Sequence, residues 1–122
     1  MYTYYFEKLD VWKKSIAFCT LIYKLTKSFP ENEKFGMISQ LRRASVSVPT
    51  NIAEGLSRDW FKDQARFSTI AYGSLMEVLN LLIIANRVEL IEEEMYLELR
   101  KDVDEISNKL NSLKKTQLSK VK

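Results

Sequence analysis

The stretch Gln40-Leu41-Arg42-Arg43-Ala44-Ser45-Val46-Ser47-Val48-Pro49-Thr50-Asn51-Ile52-Ala53-Glu54-Gly55 reads as a helix with a proline inside it and a glycine at its end. Ile38, Leu41, Ser45, Val48 and Ile52 recur at alternating steps of three and four, the spacing of one buried helix face. Arg42 and Arg43 fall beside that face. Pro49 removes a backbone donor and is predicted to kink the helix near Ser45 or Val46, where the Ser45 and Ser47 hydroxyls can meet freed carbonyls. Gly55 suits the left-handed position that closes a helix.

Working outward, three more helices are predicted. Leu9 to Lys27 carries two apolar rows, Leu9, Trp12, Ile16, Cys19, Tyr23 and Val11, Phe18, Ile22, Leu25. Two rows exceed the need of one core contact, so one is expected to face the bundle and the other a partner chain. Phe29-Pro30-Glu31-Asn32-Glu33 breaks the pattern, and the second helix is expected from Lys34. A third helix, capped by Ser57 or Asp59, runs to Val88 on a seam from Trp60 through Gln64, Phe67, Ala71, Ser74, Val78, Leu81 and Ala85. Ala71, Gly73 and Ser74 are small enough to admit a neighbouring helix closely, opposite Pro49. Glu92, Glu93 and Glu94 open a fourth helix at its positive dipole end, with a seam of Met95, Leu99, Val103, Ile106, Leu110 and Leu113. Residues 1–7 form an aromatic arm and 114–122 a basic tail expected to fray. The expected architecture is a single domain, 1–122, all-α: an antiparallel up-down-up-down four-helix bundle.

Composition agrees with an all-α chain: 122 residues, 46% hydrophobic, 29% charged, three glycines and two prolines leave few chain reversals. Histidine is absent, which removes Ser-His-Asp and Cys-His nucleophiles and histidine-assisted metal sites. The single cysteine, Cys19, makes no internal disulfide and reads as a small buried hydrophobe. The first residues lack the pattern of a signal peptide, and no apolar run approaches the roughly 20 residues of a membrane span, so a cytoplasmic protein without membrane partners is expected. No cofactor and no metal site are expected.

Charge is segregated under a net +3: residues 1–88 carry twelve basic and eight acidic side chains, 89–105 two and eight, 106–122 five and none. Glu94, Glu98 and Asp102 share a face at steps of four. Such carboxylates hold magnesium in all-α nucleotide pyrophosphohydrolases, but the facing helix offers only Asp63 and Glu77, and a solvated face is the simpler reading. Arg58, Lys62 and Arg66 recur at steps of four on the third helix, and Lys13, Arg42 and Arg43 add cations suited to phosphate. They form a candidate surface for RNA or a ribonucleoprotein. Arg42 and Arg43 can equally pair with Glu54 or Glu77 and lock the second helix against the third. The competing reading of the whole surface is a pure protein-interaction scaffold, in which these cations only solubilise the chain or bridge subunits.

Phe6-Glu7-Lys8-Leu9-Asp10-Val11-Trp12, Ile22-Tyr23-Lys24-Leu25-Thr26 before Phe29-Pro30, the stretch Gln40 to Gly55, and Ile70-Ala71-Tyr72-Gly73-Ser74-Leu75 together resemble a bacterial family encoded in intervening sequences of 23S ribosomal RNA genes. The resemblance implies a left-twisted four-helix bundle assembling as a ring-like homopentamer, without established enzymatic activity. It makes Pro49, Asn51, Glu54, Gly55 and Gly73 structural motif residues. It also implies kinship with the accessory protein of diversity-generating retroelements, whose basic surface binds nucleic acid and reverse transcriptase.

Overall fold

The computed structural model describes all residues, Met1–Lys122, and contains four long helices and no strand: α1 Asp10–Thr26, α2 Ser39–Leu56, α3 Phe61–Arg87 and α4 Glu93–Ser119. α2 packs most extensively on α3 and α3 on α4, while α1 touches α2 and, more lightly, α4. One cluster of buried apolar residues draws on every helix, among them Phe18, Ile22, Leu41, Val48, Leu75, Leu82, Leu99 and Ile106. Burying each such side chain contributes about 1.5–3 kcal/mol before chain entropy is counted.

In α1 the row Val11, Phe18 and Ile22 turns inward, joined by Ser15 and Thr26. Both hydroxyls close on carbonyls one turn back, Ser15 to Val11 at 2.7 Å and Thr26 to Ile22 at 2.8 Å, which makes their burial tolerable. Ile16 and Tyr23, from the other row, each remain 39% exposed. Cys19 is half-buried, with its sulfur 3.6 Å from the Ser45 hydroxyl. The aromatic arm is less extended than its composition implies. Tyr5–Lys8 is a 3-10 turn, Tyr4 donates its N–H to Glu7 Oε2 at 2.8 Å, and Phe6 lies edge-on to Trp12 at 5.2 Å.

The second helix starts later than expected. Lys34–Ile38 forms a π-helical turn interrupted at Gly36 (φ −108°, ψ −106°), and regular α-helix begins only at Ser39. α2 then continues through Pro49, which is buried. Gly55 is not a left-handed terminator: no glycine has positive φ, and Gly55 lies within α2. It is small because α3 crosses there. A Cβ on Gly55 would stand 2.7 Å from Phe67 Cβ. Gly73 has the reverse environment: it is exposed and a Cβ there would meet nothing within 4 Å. The close approach opposite α2 is made by its neighbours, buried Ala71 and half-buried Ser74, whose hydroxyl lies 2.8 Å from that of Ser47. Asn51 donates to both the carbonyl and the hydroxyl of Ser47, at 2.8 and 2.9 Å, extending this polar seam.

Neither Ser57 nor Asp59 caps α3. Trp60 occupies the cap position without a side-chain bond, 76% exposed, and Val88 at the far end is 59% exposed, so the expected seam overruns the helix at both ends. Contrary to the expectation that no apolar stretch would reach the length of a membrane span, α3 is long and apolar enough to cross a membrane by length and composition alone. Its apolar residues Ala71, Leu75, Val78, Leu81, Leu82 and Ala85 are buried in the bundle. α3 stops with Glu89 in the left-handed region (φ 65°), where Glu89 N–H bonds Asn86 O at 3.1 Å and Leu90 N–H bonds Ala85 O at 2.8 Å, a Schellman closure.

The α4 seam is shifted at its start: Tyr96 is buried and Met95 exposed, before Leu99, Val103, Ile106 and Leu110 fall inward as expected. The tail does not fray at Lys114. Helix continues to Ser119 because Gln117 is buried and its Oε1 accepts from the buried Ser68 hydroxyl at 2.7 Å.

Candidate nucleic-acid interface

The connection from α2 to α3 is four residues long, 57–60, and it turns Arg58, Trp60 and Lys62 outward at one end of the bundle. Gln64 Nε2 donates to the Arg58 carbonyl at 2.9 Å, fixing that turn on the first turns of α3. The guanidinium groups of Arg58 and Arg66 each lie 4.6 Å from the Phe67 ring centroid. Asp63 stands between them, accepting from Arg66 Nε at 3.1 Å and pairing with Arg58 Nε at 3.8 Å. Stacking and the shared carboxylate orient both forks at little entropic cost, and one carboxylate leaves the pair with net positive charge.

The end of α4 joins this group. Lys120 Nζ lies 5.2 Å over the Phe61 ring, and Lys62, Lys120 and Lys122 line one concavity with Asp59, Trp60, Phe61 and Val121. A second, open concavity is lined by Trp60, Lys62, Asp63 and Arg66. Trp60 and Lys62 therefore border both hollows. The acid-free segment 106–122 is carried onto the arginine ladder by the Ser68–Gln117 hydrogen bond.

The other candidate cations lie elsewhere. Arg42 is half-buried against the last turn of α1: Nε donates to Thr26 Oγ1 at 2.8 Å, Nη2 to the Tyr23 carbonyl at 3.3 Å, and the guanidinium sits 4.6 Å from the Tyr23 ring. It binds neither Glu54 nor Glu77, and it locks α2 to α1 rather than to α3. Arg43 and Lys13 are exposed. Residue pattern alone does not single out Trp60, Phe61 and Lys120 as interface residues. By spacing, Trp60 belongs to the α3 seam and Lys120 to a fraying tail. The signal for Lys120 is the run Val103, Ile106, Leu110, Leu113, whose next step is Gln117.

The acidic residues of α4 do not build a metal centre: no group of three or more potential ligands comes together. Asp102 instead lies beside Lys14 and Glu105 in the groove between α1 and α4. Burial pushes its carboxyl above the ordinary value, Glu105 and Glu98 add to this, and Lys14 opposes it. Lys14 itself is raised, first by its hydrogen bond to Glu105 at 2.9 Å.

Residues 7–112 match the sequence profile described as 23S rRNA-intervening sequence protein. The chain belongs to that family. A solved relative of this 23S rRNA-intervening sequence protein is described as a protein with unknown function from the S23 ribosomal protein family, from Bacteroides thetaiotaomicron VPI-5482. The two share 30% identity with a TM-score of 0.80, over 86% of this chain and 95% of that one. No curated protein matches the chain. The family match covers the ladder Arg58, Lys62 and Arg66 but ends before Lys120 and Lys122.

Proposed function

We propose that this member of the 23S rRNA-intervening sequence family is a non-enzymatic, cytoplasmic RNA-binding protein working as a homo-oligomer, a ring of five bundles in the form the sequence resemblance implies. The carrying observation is the convergence of Lys62 and Arg66 with Lys120 and Lys122 around Trp60, from segments more than fifty residues apart, with Arg58 held beside Arg66 on Phe67 and Asp63. Phosphate binding requires clustered cations and no recognition motif, which fits a surface of oriented arginines and exposed lysines.

Each protomer is an up-down-up-down bundle with α2 bent at Pro49. The antiparallel course is supported by the order of cross-helix pairs: Asp10 meets Lys109 while Lys14 meets Glu105, and Ser47 meets Ser74 while Gly55 meets Phe67. Oligomerisation is supported by Ile16, Tyr23 and Val46, each 39% exposed on α1 and α2. Those residues also favour a second reading, a protein-interaction scaffold with no nucleic-acid ligand. Binding of 23S rRNA fragments across a salt series separates the two: the proposal expects affinity that weakens steeply with salt, the scaffold none. Light scattering tests the assembly, which a monomer mass would contradict.

A further inference from the structure

Trp60 is the most exposed large aromatic side chain outside the N-terminal arm and the turn at Phe35. No other aromatic ring pairs with it and no cation covers it, whereas Phe67 holds two guanidinium groups and Phe61 holds Lys120. Its position is not that of a loose surface residue. The backbone at Trp60 is extended (φ −111°, ψ 135°), and its carbonyl accepts the Gln64 N–H at 2.9 Å, opening α3. An indole on a fixed backbone, bordered by Lys62 in both adjoining hollows, by Arg66 in one and by Lys120 and Lys122 in the other, presents a free π-face ringed by cations. Asp63, the carboxylate nearest this ring of charge in the second hollow, is already engaged by Arg66 and Arg58; Asp59 in the first is the remaining opposing charge.

We infer that Trp60 is a stacking platform for an unpaired nucleobase, so that the basic end binds single-stranded RNA in preference to duplex. This rests on the RNA-binding reading and specifies the nucleic-acid form it takes. Bases in a duplex are stacked on one another and offer no free face, and an A-form major groove is too narrow for side chains to read. An unpaired base can turn out onto an aromatic ring while flanking phosphates meet lysine and arginine. The geometry supplies both parts within one patch: the ring for the base, and Lys62, Arg66, Lys120 and Lys122 for phosphates on either side. Stacking on any base is comparably favourable, so the site selects strandedness more than sequence.

The test uses the full-length protein at low salt with two labelled probes, a single-stranded, unpaired oligoadenylate and an RNA duplex of equal length, read by anisotropy and by tryptophan fluorescence. The expected results are tighter binding of the oligoadenylate, quenching of tryptophan emission on binding, and loss of that quenching in Trp60→Ala. The variant should bind oligoadenylate about tenfold more weakly or worse with duplex affinity unchanged, and Trp60→Phe should recover most of the loss. The second tryptophan, Trp12, is half-buried beside Phe6 and gives the unquenched background. If both probes bind but Trp60→Ala weakens neither, or weakens both alike, the stacking platform is wrong and the RNA-binding reading stands. If neither probe binds at low salt, both fail.

Discussion

Arg42 donates from Nε to the hydroxyl of Thr26 across 2.8 Å, and that hydroxyl is itself buried and bonded back to Ile22. A sequence motif with two adjacent arginines thus divides its work, Arg42 closing the end of α1 and Arg43 facing solvent. The guanidinium meets a carbonyl of the last α1 turn, where positive charge is favoured by the helix dipole.

Removing Arg42 is therefore expected to cost stability and to leave RNA affinity largely intact. Arg42→Ala should lower unfolding free energy by about 1–2 kcal/mol, measured by urea denaturation, since it deletes a charge-assisted hydrogen bond to a buried hydroxyl. Arg42→Lys should recover little, because an ammonium cannot stack on Tyr23 and reach Thr26 and Tyr23 O as a fork.

The two glycines of α2 and α3 should respond with opposite signs. Gly55→Ala forces apart α2 and α3, the new Cβ lying 2.7 Å from Phe67 Cβ, which has no flexible end to yield, and should destabilise by about 1–3 kcal/mol. Gly73→Ala enters open space on a helix and should stabilise by about 0.5–1 kcal/mol. Thermal melts of both variants check this pair.

How much of the molecule is legible in its sequence varies with the physics involved. Helix number and most core residues follow from spacing, because Leu41, Val48, Ile52, Leu75, Val78 and Leu99 are apolar at helical steps and are buried. Spacing does not tell which of two apolar rows turns inward, so Ile16 and Phe18 become distinguishable only with neighbours in place. Gly55 is misread by position because a glycine needed for close approach and one needed for left-handed backbone look alike near a helix end. The α4 tail is misread because Gln117 is polar at a seam position; Ser68 satisfies its Oε1, while its buried Nε2 has no partner within the chain. The interface suffers most: Trp60 continues the α3 period, but α2 ends at Leu56 and leaves nothing opposite it.

Glu89 offers a simple stabilising substitution. It holds a left-handed backbone at the C′ position of α3, which disfavours any residue with a Cβ by about 1 kcal/mol or more. Glu89→Gly should raise the melting temperature, and its hydrogen-bond partners Asn86 and Ala85 are reached through the backbone and stay in place.

Two aspartates where α1 meets α4 should show opposite pH signatures. The Asp102 carboxyl is raised, so the folded chain holds its proton more tightly than the unfolded chain, and stability falls as pH rises from about 3.8 through the raised value. Asp102→Asn should raise the neutral-pH melting temperature, with the gain vanishing in acid. Asp10 is lowered, chiefly by its hydrogen bond from Lys109 at 2.6 Å, so its stabilisation is present above about 3.8 and lost as pH falls through the lowered value. Asp10→Asn should lower the neutral-pH melting temperature and have no effect in acid.

The basic end is tested most directly by anisotropy of a labelled single-stranded ribosomal RNA fragment across a salt series, for the native chain and for Arg58→Ala/Lys62→Ala/Arg66→Ala, with helicity checked by circular dichroism. Removing one phosphate-bound cation from a single-strand complex flattens the slope of log affinity against log salt by about 0.7. The predicted result is weaker binding at every salt concentration and a slope shallower by about 2 in the variant. A native chain with no affinity at low salt, or a folded variant that keeps the native slope, contradicts the account.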